Sequence, residues 1–337
     1  MDVRAINQQV DQGYIARRRH PTAELYIYNY TAKTQFDAYW TPEARACRGL
    51  ILDRNGLVIA RPFEKFFTLD QHPDPLPLEP FDVFEKLDGS LGILYWTGDS
   101  PFIATRGSFD GEQAGRANRI LHAKYRHLFG ELDRSLTYLF EIIYPQNRIV
   151  VDYGDIEDLI LLTAIETESG RELGPLEVGF PVVRRYDGIT DLSALTEMEE
   201  LNKEGFVVRF ESGVRVKLKF EEYKRLHKLV TGVNPKHVWQ MLVEGREVAE
   251  LVDRVPDEFY NWIRGIESGL LQRFSEIESV CRKEFKVLPT RKETALYFQQ
   301  LSYPSVLFAM LDGKDYAGII WKMIRPEASA SFKCGDE

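Results

Sequence analysis

One lysine of the chain stands at the end of an apolar, strand-like run and directly before a tight turn. Lys86 closes the segment FDVFEKL and is followed by Leu87 and the turn Asp88-Gly89-Ser90. A lysine amine becomes a nucleophile when it loses its proton, which burial or a neighbouring cation favours. The pattern KxDG is short, however, and a lysine beside a turn is ordinarily a solvated surface charge. Lys86 is therefore a candidate nucleophile only if other residues complete a site.

Four later residues could complete that site. A nucleophile that attacks a phosphate needs cations for the phosphate oxygens and carboxylates for a metal. Lys217 and Lys219 alternate within VRVKLKF, so a strand places both on one face. Glu141 interrupts the apolar run TYLFEIIY, and Glu204 begins EGFVVRF. Alone, these lysines would indicate an edge strand and these glutamates structural salt bridges. Their order after KxDGS favours a functional site.

The elements that position these residues are predicted from two kinds of patterning. Up to residue 228, β-branched and aromatic runs alternate with turn signals, which predicts short strands with helices over 112–132 and 191–202. Beyond it, apolar residues recur every three or four positions, most clearly over 256–285, which predicts helices. We therefore expect an α+β protein, with antiparallel sheets in domain 1–228 and an all-α domain 229–337.

Composition limits the function further. The net charge of −9 argues against a protein that merely coats nucleic acid, although an enzyme can confine its basic groups to one groove. The run RRRH at 17–20 is interpreted as a solvated face. The chain has no apolar run typical of a signal peptide or a membrane span, and its three cysteines are too few for a disulfide framework. We expect a cytoplasmic protein that does not enter a membrane.

Four segments taken in order resemble motifs I, III, IV and V of the covalent nucleotidyltransferases, which include ATP-dependent DNA ligases, RNA ligases and mRNA capping enzymes. They are the KLDGS, FE, EG and KLK segments that contain Lys86, Glu141, Glu204 and Lys217. The flanking segments YNY, CRGLI, RPFEKFF, TRGS and PQNRIVV are similar to the RNA ligase 1 type of T-even phages, over roughly residues 24–228. The resemblance implies an adenylyltransferase (ATP-grasp-like nucleotidyltransferase) domain. No five-strand pattern for an OB barrel follows it, which favours an RNA ligase over the other relatives.

The resemblance implies an ATP-dependent RNA ligase that acts in RNA repair or splicing. Lys86 would attack the α-phosphorus of ATP to give lysyl-AMP, AMP would pass to an RNA 5′-phosphate, and a 3′-hydroxyl would then seal the strand. The implied cofactors are ATP and Mg²⁺ or Mn²⁺, since hard cations suit oxygen ligands. We expect a monomer whose helical domain contacts RNA, and a separate kinase or phosphatase that prepares the ends.

Two other functions stay open. One is a related nucleotidyltransferase that acts on DNA ends or with GTP. The other is a non-catalytic nucleotide- or RNA-binding module, which the retained lysine and glutamates disfavour.

Residue roles follow from matching positions in the motifs. Glu204 is expected to bind the metal through water, and Glu141 to bind either the ATP ribose or a hydrated metal. Lys217 and Lys219 are expected to hold the α-phosphate. Arg106 replaces a lysine of the phage type, which keeps the cation but changes its geometry. The remaining ATP-binding residues that the resemblance implies are Tyr28, Arg48, Lys65, Phe67, Gly89 and Gly205, of which the first three would contact the β- and γ-phosphates.

Overall fold

The structure is a computed structural model that describes residues 2–251, 255, 257–327 and 331. The chain divides after Lys224 into two compact units, four residues before the predicted boundary at residue 228. A helix over residues 221–232 continues across this division. Each unit is described separately below.

The described strands all belong to the first unit. In chain order they are β1 (Ile15–Arg19), β2 (Leu25–Tyr30), β3 (Arg48–Asp53), β4 (Val58–Ala60), β5 (Phe67–Thr68), β6 (Phe81–Lys86), β7 (Ser90–Thr97), β8 (Ser100–Ala104), β9 (Leu136–Ile143), β10 (Asp158–Glu166), β11 (Glu172–Gly174), β12 (Arg185–Tyr186), β13 (Gly205–Phe210) and β14 (Arg215–Lys219).

The described helices occur in both units. They are α1 (Val3–Asp11), α2 (Ala32–Phe36), α3 (Pro42–Ala46), α4 (Glu112–Lys124), α5 (Leu192–Glu197), α6 (Glu221–Gly232), α7 (Pro235–Val243), α8 (Asp257–Glu284), α9 (Arg291–Gln299), α10 (Pro304–Leu311) and α11 (Ala317–Met323). Helix α4 is shorter than the predicted 112–132, because a 3₁₀ turn over Arg126–Leu128 follows it.

The strands form three sheets. The first sheet has the order β1-β2-β3-β4, the second β11-β10-β9-β7-β8, and the third β12-β6-β13-β14-β5. Neighbouring strands are antiparallel except for β14 and β5, which pair in parallel. The α+β class with antiparallel sheets followed by helices is therefore confirmed, with one parallel pair at an edge.

The second sheet is buried on both faces, as its alternating apolar residues require. Leu139 packs in a cluster with Ile27 and Ile51 of the first sheet, whereas the next residue, Phe140, packs in a cluster with Leu121 of α4. All of these side chains are within 1% of complete burial. Because successive side chains of a strand point to opposite faces, β9 is fixed between two apolar layers. Its polar residue Glu141 is thereby held rigidly.

The second unit is helical throughout its described residues. Helix α8 spans 257–284, close to the predicted 256–285, of which residue 256 lies outside the described residues. The Trp239 indole N–H donates to the carbonyl of Trp321 at 2.8 Å, so these tryptophans pack internally, as the apolar spacing indicated. None of the described helices is both long and apolar enough to span a bilayer.

Candidate active site

Three neighbouring strands of the third sheet bring the predicted nucleophile to a carboxylate. Gly205 of β13 is in register with Lys86 of β6 on one side and with Lys219 of β14 on the other. Glu204 precedes Gly205, and its Oε2 lies 2.7 Å from Lys86 Nζ while its Oε1 lies 3.2 Å from Lys219 Nζ. The Glu204 side chain is only 3% exposed. One buried carboxylate therefore bridges two ammonium groups, and we name Lys86, Glu204 and Lys219 the lysine–glutamate group.

Gly205 is required by this close packing. Its φ of +146° lies in a region that residues with a side chain rarely adopt. A Cβ atom there would lie 2.0 Å from the carbonyl oxygen of Leu218 on the neighbouring strand. The structure thus gives Gly205 a role in letting β13 and β14 approach.

The ionisation of Lys86 is controlled by burial and by three acids. Burial lowers the pKa of Lys86, but the carboxylates of Glu204, Glu141 and Asp88 outweigh it and leave the pKa raised. Lys86 is therefore protonated before any ligand binds. Burial raises the pKa of Glu141 to about 8, opposed by Lys86. Glu141 is thus a carboxyl group whose ionisation a nearby cation would favour.

The turn after Lys86 is anchored through Asp88, which the sequence indicated only as a turn residue. Its carboxylate is 3% exposed and accepts the Tyr223 hydroxyl at 2.7 Å and the backbone N–H groups of Val150 and Val151 at 2.8 and 2.9 Å. The Asp88 N–H donates to the Tyr153 hydroxyl at 2.8 Å. These bonds satisfy a buried acid whose isolation would be costly, and they fix the turn.

Two neighbours of this turn are positioned by strand β9. A Cβ atom on Gly89 would lie 2.6 Å from the carbonyl oxygen of Ile142, and the Gly89 N–H donates to Glu141 Oε1 at 2.9 Å. The packing of β9 thus requires glycine here, while the predicted approach of a nucleotide stays a prediction. Asn147, which the sequence did not single out, donates to Ser90 Oγ at 3.1 Å and to the Ile142 carbonyl at 3.2 Å.

Lys217 lies among other cations. Burial is the largest influence on its ammonium group, and Lys86, Lys219, Lys65 and Arg48 act in the same direction, which together lower the pKa of Lys217 to about 7. In the described part of the chain, no carboxylate lies within ion-pair distance of its Nζ. Like charges held together without a counter-ion favour an anion between them.

Arg48 and Arg106 meet at one tyrosine. Arg106 donates to the Tyr30 hydroxyl at 3.2 Å, with its guanidinium carbon 5.4 Å from the ring centroid. Burial lowers the pKa of Arg48, with Tyr30 opposing the shift and Arg106 adding to it. The NH1 atom of Arg48 is buried without a hydrogen-bond partner among the described residues. A buried donor left in this way is costly unless a ligand satisfies it.

Lys65 is surrounded by aromatic rings. Its Nζ lies 5.1 Å from the ring centroid of Trp40 and 5.6 Å from those of Tyr30 and Phe67. An ammonium group is attracted to such faces, so three rings hold this side chain in place. We name Arg48, Lys65, Arg106 and Lys217 the cation group; Phe67 belongs to its aromatic wall.

Tyr28 is not brought to the cation group. Its side chain is 4% exposed and packs in an apolar cluster with Ile6 of α1 and Cys47. Burial raises the pKa of Tyr28, and nearby Arg17 opposes the shift. The pairing of β2 with β3 shifts register between Tyr28 and Asn29. The residue that contacts the cations is Tyr30, two positions further along.

The donors near Lys86 suit a divalent cation that also binds a ligand. Among the described residues, no cluster of three or more His, Cys, Asp or Glu side chains is arranged to hold a metal. Glu141 has a raised pKa, so a cation beside it would favour its ionised form. Mg²⁺ commonly binds through one or two carboxylates, water and substrate phosphates. The residues fit that mode.

The structure thus brings together Lys86, Glu204 and Lys219, residues that the resemblance to covalent nucleotidyltransferases placed in one site. Residues 46–224 match the model of a family described as RNA ligase, and the chain belongs to that family. The predicted resemblance is thereby confirmed, as is the predicted enzyme class of ATP-dependent RNA ligase.

Individual relatives are distant. The RNA ligase of Rhodothermus phage RM378 is 24% identical over 92% of this chain and 90% of its own length. The putative RNA ligase of Thermovibrio ammonificans is 29% identical over 59% of this chain and 57% of its own length.

Solved structures were also compared. A Naegleria gruberi RNA ligase with pyrophosphate gives a TM-score of 0.38 at 20% identity, covering 44% of this chain and 52% of that chain. A putative ATP-dependent DNA ligase from Aquifex aeolicus gives 0.48 at 15% identity, covering 93% and 100%.

Proposed function

We propose that Lys86 is the nucleophile of this RNA ligase. Its Nζ attacks the α-phosphorus of ATP, a phosphorus–nitrogen bond forms, the bond to the β-phosphate oxygen breaks, and pyrophosphate leaves. The observation that carries the proposal is the 2.7 Å contact between Lys86 Nζ and Glu204 Oε2. A protonated amine must lose its proton before it attacks, and a carboxylate at hydrogen-bond distance can accept that proton.

The cation group binds the phosphates in this proposal. Lys217 and Lys219 hold the α-phosphate, and Arg48, Lys65 and Arg106 hold the pyrophosphate that leaves. The low pKa of Lys217 and the unpartnered NH1 of Arg48 support this assignment, because an anion would relieve both. Positioning and charge stabilisation are the main tasks of a protein that catalyses in-line phosphoryl displacement.

A divalent cation, Mg²⁺ or Mn²⁺, accompanies ATP in this proposal, with Glu141 and Glu204 as its protein residues through water. It supplies positive charge that neutralises phosphate oxygens and the carboxylates that keep Lys86 protonated. The protein contributes the fixed position of Glu141, which β9 holds between two apolar layers.

The RNA steps follow from the same chemistry. An oxygen of the RNA 5′-phosphate attacks the α-phosphorus of lysyl-AMP, and the phosphorus–nitrogen bond breaks to regenerate Lys86. A 3′-hydroxyl then attacks the activated 5′-phosphorus, and AMP leaves as the strand is sealed. We infer that the enzyme is a cytoplasmic monomer whose helical unit contacts the RNA.

The ends that this enzyme joins must carry a 5′-phosphate and a 3′-hydroxyl, and we propose that a separate kinase or phosphatase provides them. A relative in Autographa californica nuclear polyhedrosis virus is named a putative bifunctional polynucleotide kinase/RNA ligase. It is 27% identical over 70% of this chain and 38% of its own length. That pairing of activities supports the proposal.

Radiolabel transfer tests the nucleophile. The full-length protein is incubated with α-³²P-ATP and Mg²⁺ or Mn²⁺ and separated on a denaturing gel. We expect label on the wild type, no label on Lys86→Ala, and full label on the matched control Lys224→Ala, whose side chain pairs with Glu221 on the surface. Absence of label on the wild type, or its persistence in Lys86→Ala, contradicts the proposal. Labelled GTP and a DNA acceptor test the alternative of a nucleotidyltransferase that uses GTP or acts on DNA ends.

A further inference from the structure

A cleft on the first sheet lies outside the candidate active site. It has a volume of about 330 Å³ and is bounded by α1, by strands β1 and β2, and by the turn that follows β3. Its lining includes two arginines and two tyrosines, together with Asn7. The residues that carry the following argument are Asn7, Arg17, Tyr26, Tyr28 and Arg54.

Arg17 lies at the open side of this cleft. Its guanidinium carbon lies 5.6 Å from the centroid of the Tyr26 ring, and its charge counters the burial that raises the pKa of Tyr28. Among the described residues, no carboxylate forms an ion pair with Arg17 or with Arg54. Arg17 is exposed, as the solvated face predicted for RRRH implies, and its guanidinium donors are available to an anion.

The polar groups of the cleft complement a polyanion that also carries hydrogen-bonding groups. The Oδ1 atom of Asn7 is buried without a hydrogen-bond partner in the described structure. Asp53 also lines the cleft, but its Oδ1 accepts the backbone N–H groups of Asn55 and Leu57, each at 2.8 Å. Two guanidinium groups that form no ion pair with a described residue, and one acceptor without a partner there, match a phosphate joined to a nucleoside.

The Arg54 end of the cleft lies away from the cation group along β3. Arg48 begins β3 and Asp53 ends it, so the two positions are roughly 17 Å apart along the strand. A nucleic acid strand can span such a distance, since its phosphates repeat along its length.

We propose that this cleft binds a backbone phosphate of single-stranded RNA, a few nucleotides from the reacting end. Arg17 and Arg54 donate to the phosphate oxygens, and Asn7 Oδ1 accepts a hydrogen bond from the adjoining nucleotide. The assignment rests on the proposed function, because an RNA end must lie at Lys86 for the rest of its strand to reach this face.

RNA affinity as a function of salt tests the cleft. The probe is a 5′-phosphorylated single-stranded RNA of about ten nucleotides, within the range of single-strand binding sites. The variants are Arg17→Gln, Arg54→Gln and their combination, with Arg17→Lys as the conservative change. Arg18→Gln is the matched control, because Arg18 follows Arg17 on β1 and points to the opposite face. Arg54 lies exposed in a turn, so its replacement leaves the packing intact.

We expect each glutamine variant to raise the dissociation constant for RNA roughly three- to tenfold at low salt, and to reduce the salt slope by about 0.7. Arg17→Lys should keep the slope, Arg18→Gln should change neither quantity, and lysyl-AMP formation with ATP alone should be unchanged throughout. The proposal is overturned if the double variant keeps the RNA affinity and the salt slope of the wild type. The same result is expected if the cleft binds a protein instead of RNA. Failure of the proposed function gives a different result: the wild type itself would then form no lysyl-AMP.

Discussion

The two halves of the candidate active site differ in how their charges are balanced. In the lysine–glutamate group, Glu204 contacts both Lys86 and Lys219, so the carboxylate and the ammonium groups satisfy one another. In the cation group, Lys217 has only cations as its strongest charged influences, and Arg48 leaves a buried donor unused. The charges of the first half are paired without a ligand, whereas an anion would balance those around Lys217 in the second.

This difference indicates that nucleotide binding and activation of Lys86 are coupled. The carboxylates that raise the pKa of Lys86 keep it protonated and unreactive in the free enzyme. In our proposal a divalent cation would accompany the phosphates, and Glu204 and Glu141 would hold it through water. Its positive charge would weaken the hold of Glu204 on the Lys86 proton. Under this proposal, Lys86 stays protonated until its substrate is present.

The largest expected effect comes from removing the carboxylate of the lysine–glutamate group. Glu204→Gln leaves two partly buried ammonium groups without their counter-ion, and we expect the rate of lysyl-AMP formation to fall about 10²- to 10³-fold. Because Glu204 raises the pKa of Lys86, its loss lowers that pKa, so the remaining activity should reach half its maximum at a lower pH. Single-turnover label transfer across a pH series measures both.

The control for this change is Glu200→Gln, which removes a separate salt bridge with Lys203. It should leave the rate and the pH profile as in the wild type. A Glu204→Gln profile that stays in place or moves to higher pH would show that Glu204 does not set the ionisation of Lys86.

An intermediate effect is expected from replacing Lys217 in the cation group. Because the pKa of Lys217 is about 7, the free enzyme is largely neutral there above pH 8, and a bound phosphate should draw a proton onto it. ATP binding should therefore take up a proton and weaken as pH rises. Lys217→Met should abolish the uptake and weaken binding about tenfold at pH 7. Calorimetry in buffers of different ionisation heat, above the titration of phosphate itself, measures the uptake.

The same variant should unfold at a higher temperature than the wild type at pH 7 without ATP. Folding lowers the pKa of Lys217, so the folded protein binds fewer protons at this residue than the unfolded chain does. At any pH below the pKa of the unfolded chain, Lys217 therefore reduces the free energy of unfolding. Lys224→Met, on the surface, should change neither proton uptake nor the unfolding temperature. Unaltered proton uptake in Lys217→Met would remove Lys217 from the phosphate site.

The smallest effect separates two tyrosines. Tyr30→Phe removes the acceptor of the Arg106 hydrogen bond and should raise the dissociation constant for ATP roughly fivefold, as for the loss of about 1 kcal/mol. Tyr28→Phe, whose hydroxyl faces Arg17, should have the lesser effect on ATP. Equilibrium binding of labelled ATP compares them. A larger effect at Tyr28 would restore the role that the motif resemblance gave it.

The lysine–glutamate group is the part of the site that the sequence indicates most directly, because strand periodicity places its residues. Lys217 and Lys219 alternate, and EGFVVRF reads as the strand beside them, so Lys219 and Glu204 could be expected together once three strands were placed in one sheet. The fold class followed from the change from strand to helix periodicity.

Other parts depend on contacts that no local pattern encodes. The register shift between Tyr28 and Asn29 decides which tyrosine faces the cations. Asp88 finds its partners in Tyr223 and the backbone at residues 150–151, all distant in sequence. Asn147 lies within the PQNRIVV segment, and only that resemblance could have indicated that it positions the turn at Ser90. Arg17 is exposed as predicted, but its neighbour Tyr26 comes from another strand, so no local pattern indicates the cleft.

Helix α6 has a consequence for the design of a smaller enzyme. Its third residue, Tyr223, holds the buried Asp88 of the lysine turn, and the helix then runs to residue 232 in the second unit. A fragment cut at the division after Lys224 would keep Tyr223 but leave it on the frayed end of a severed helix. A minimal adenylylating fragment should therefore extend through Gly232, where the helix ends by itself.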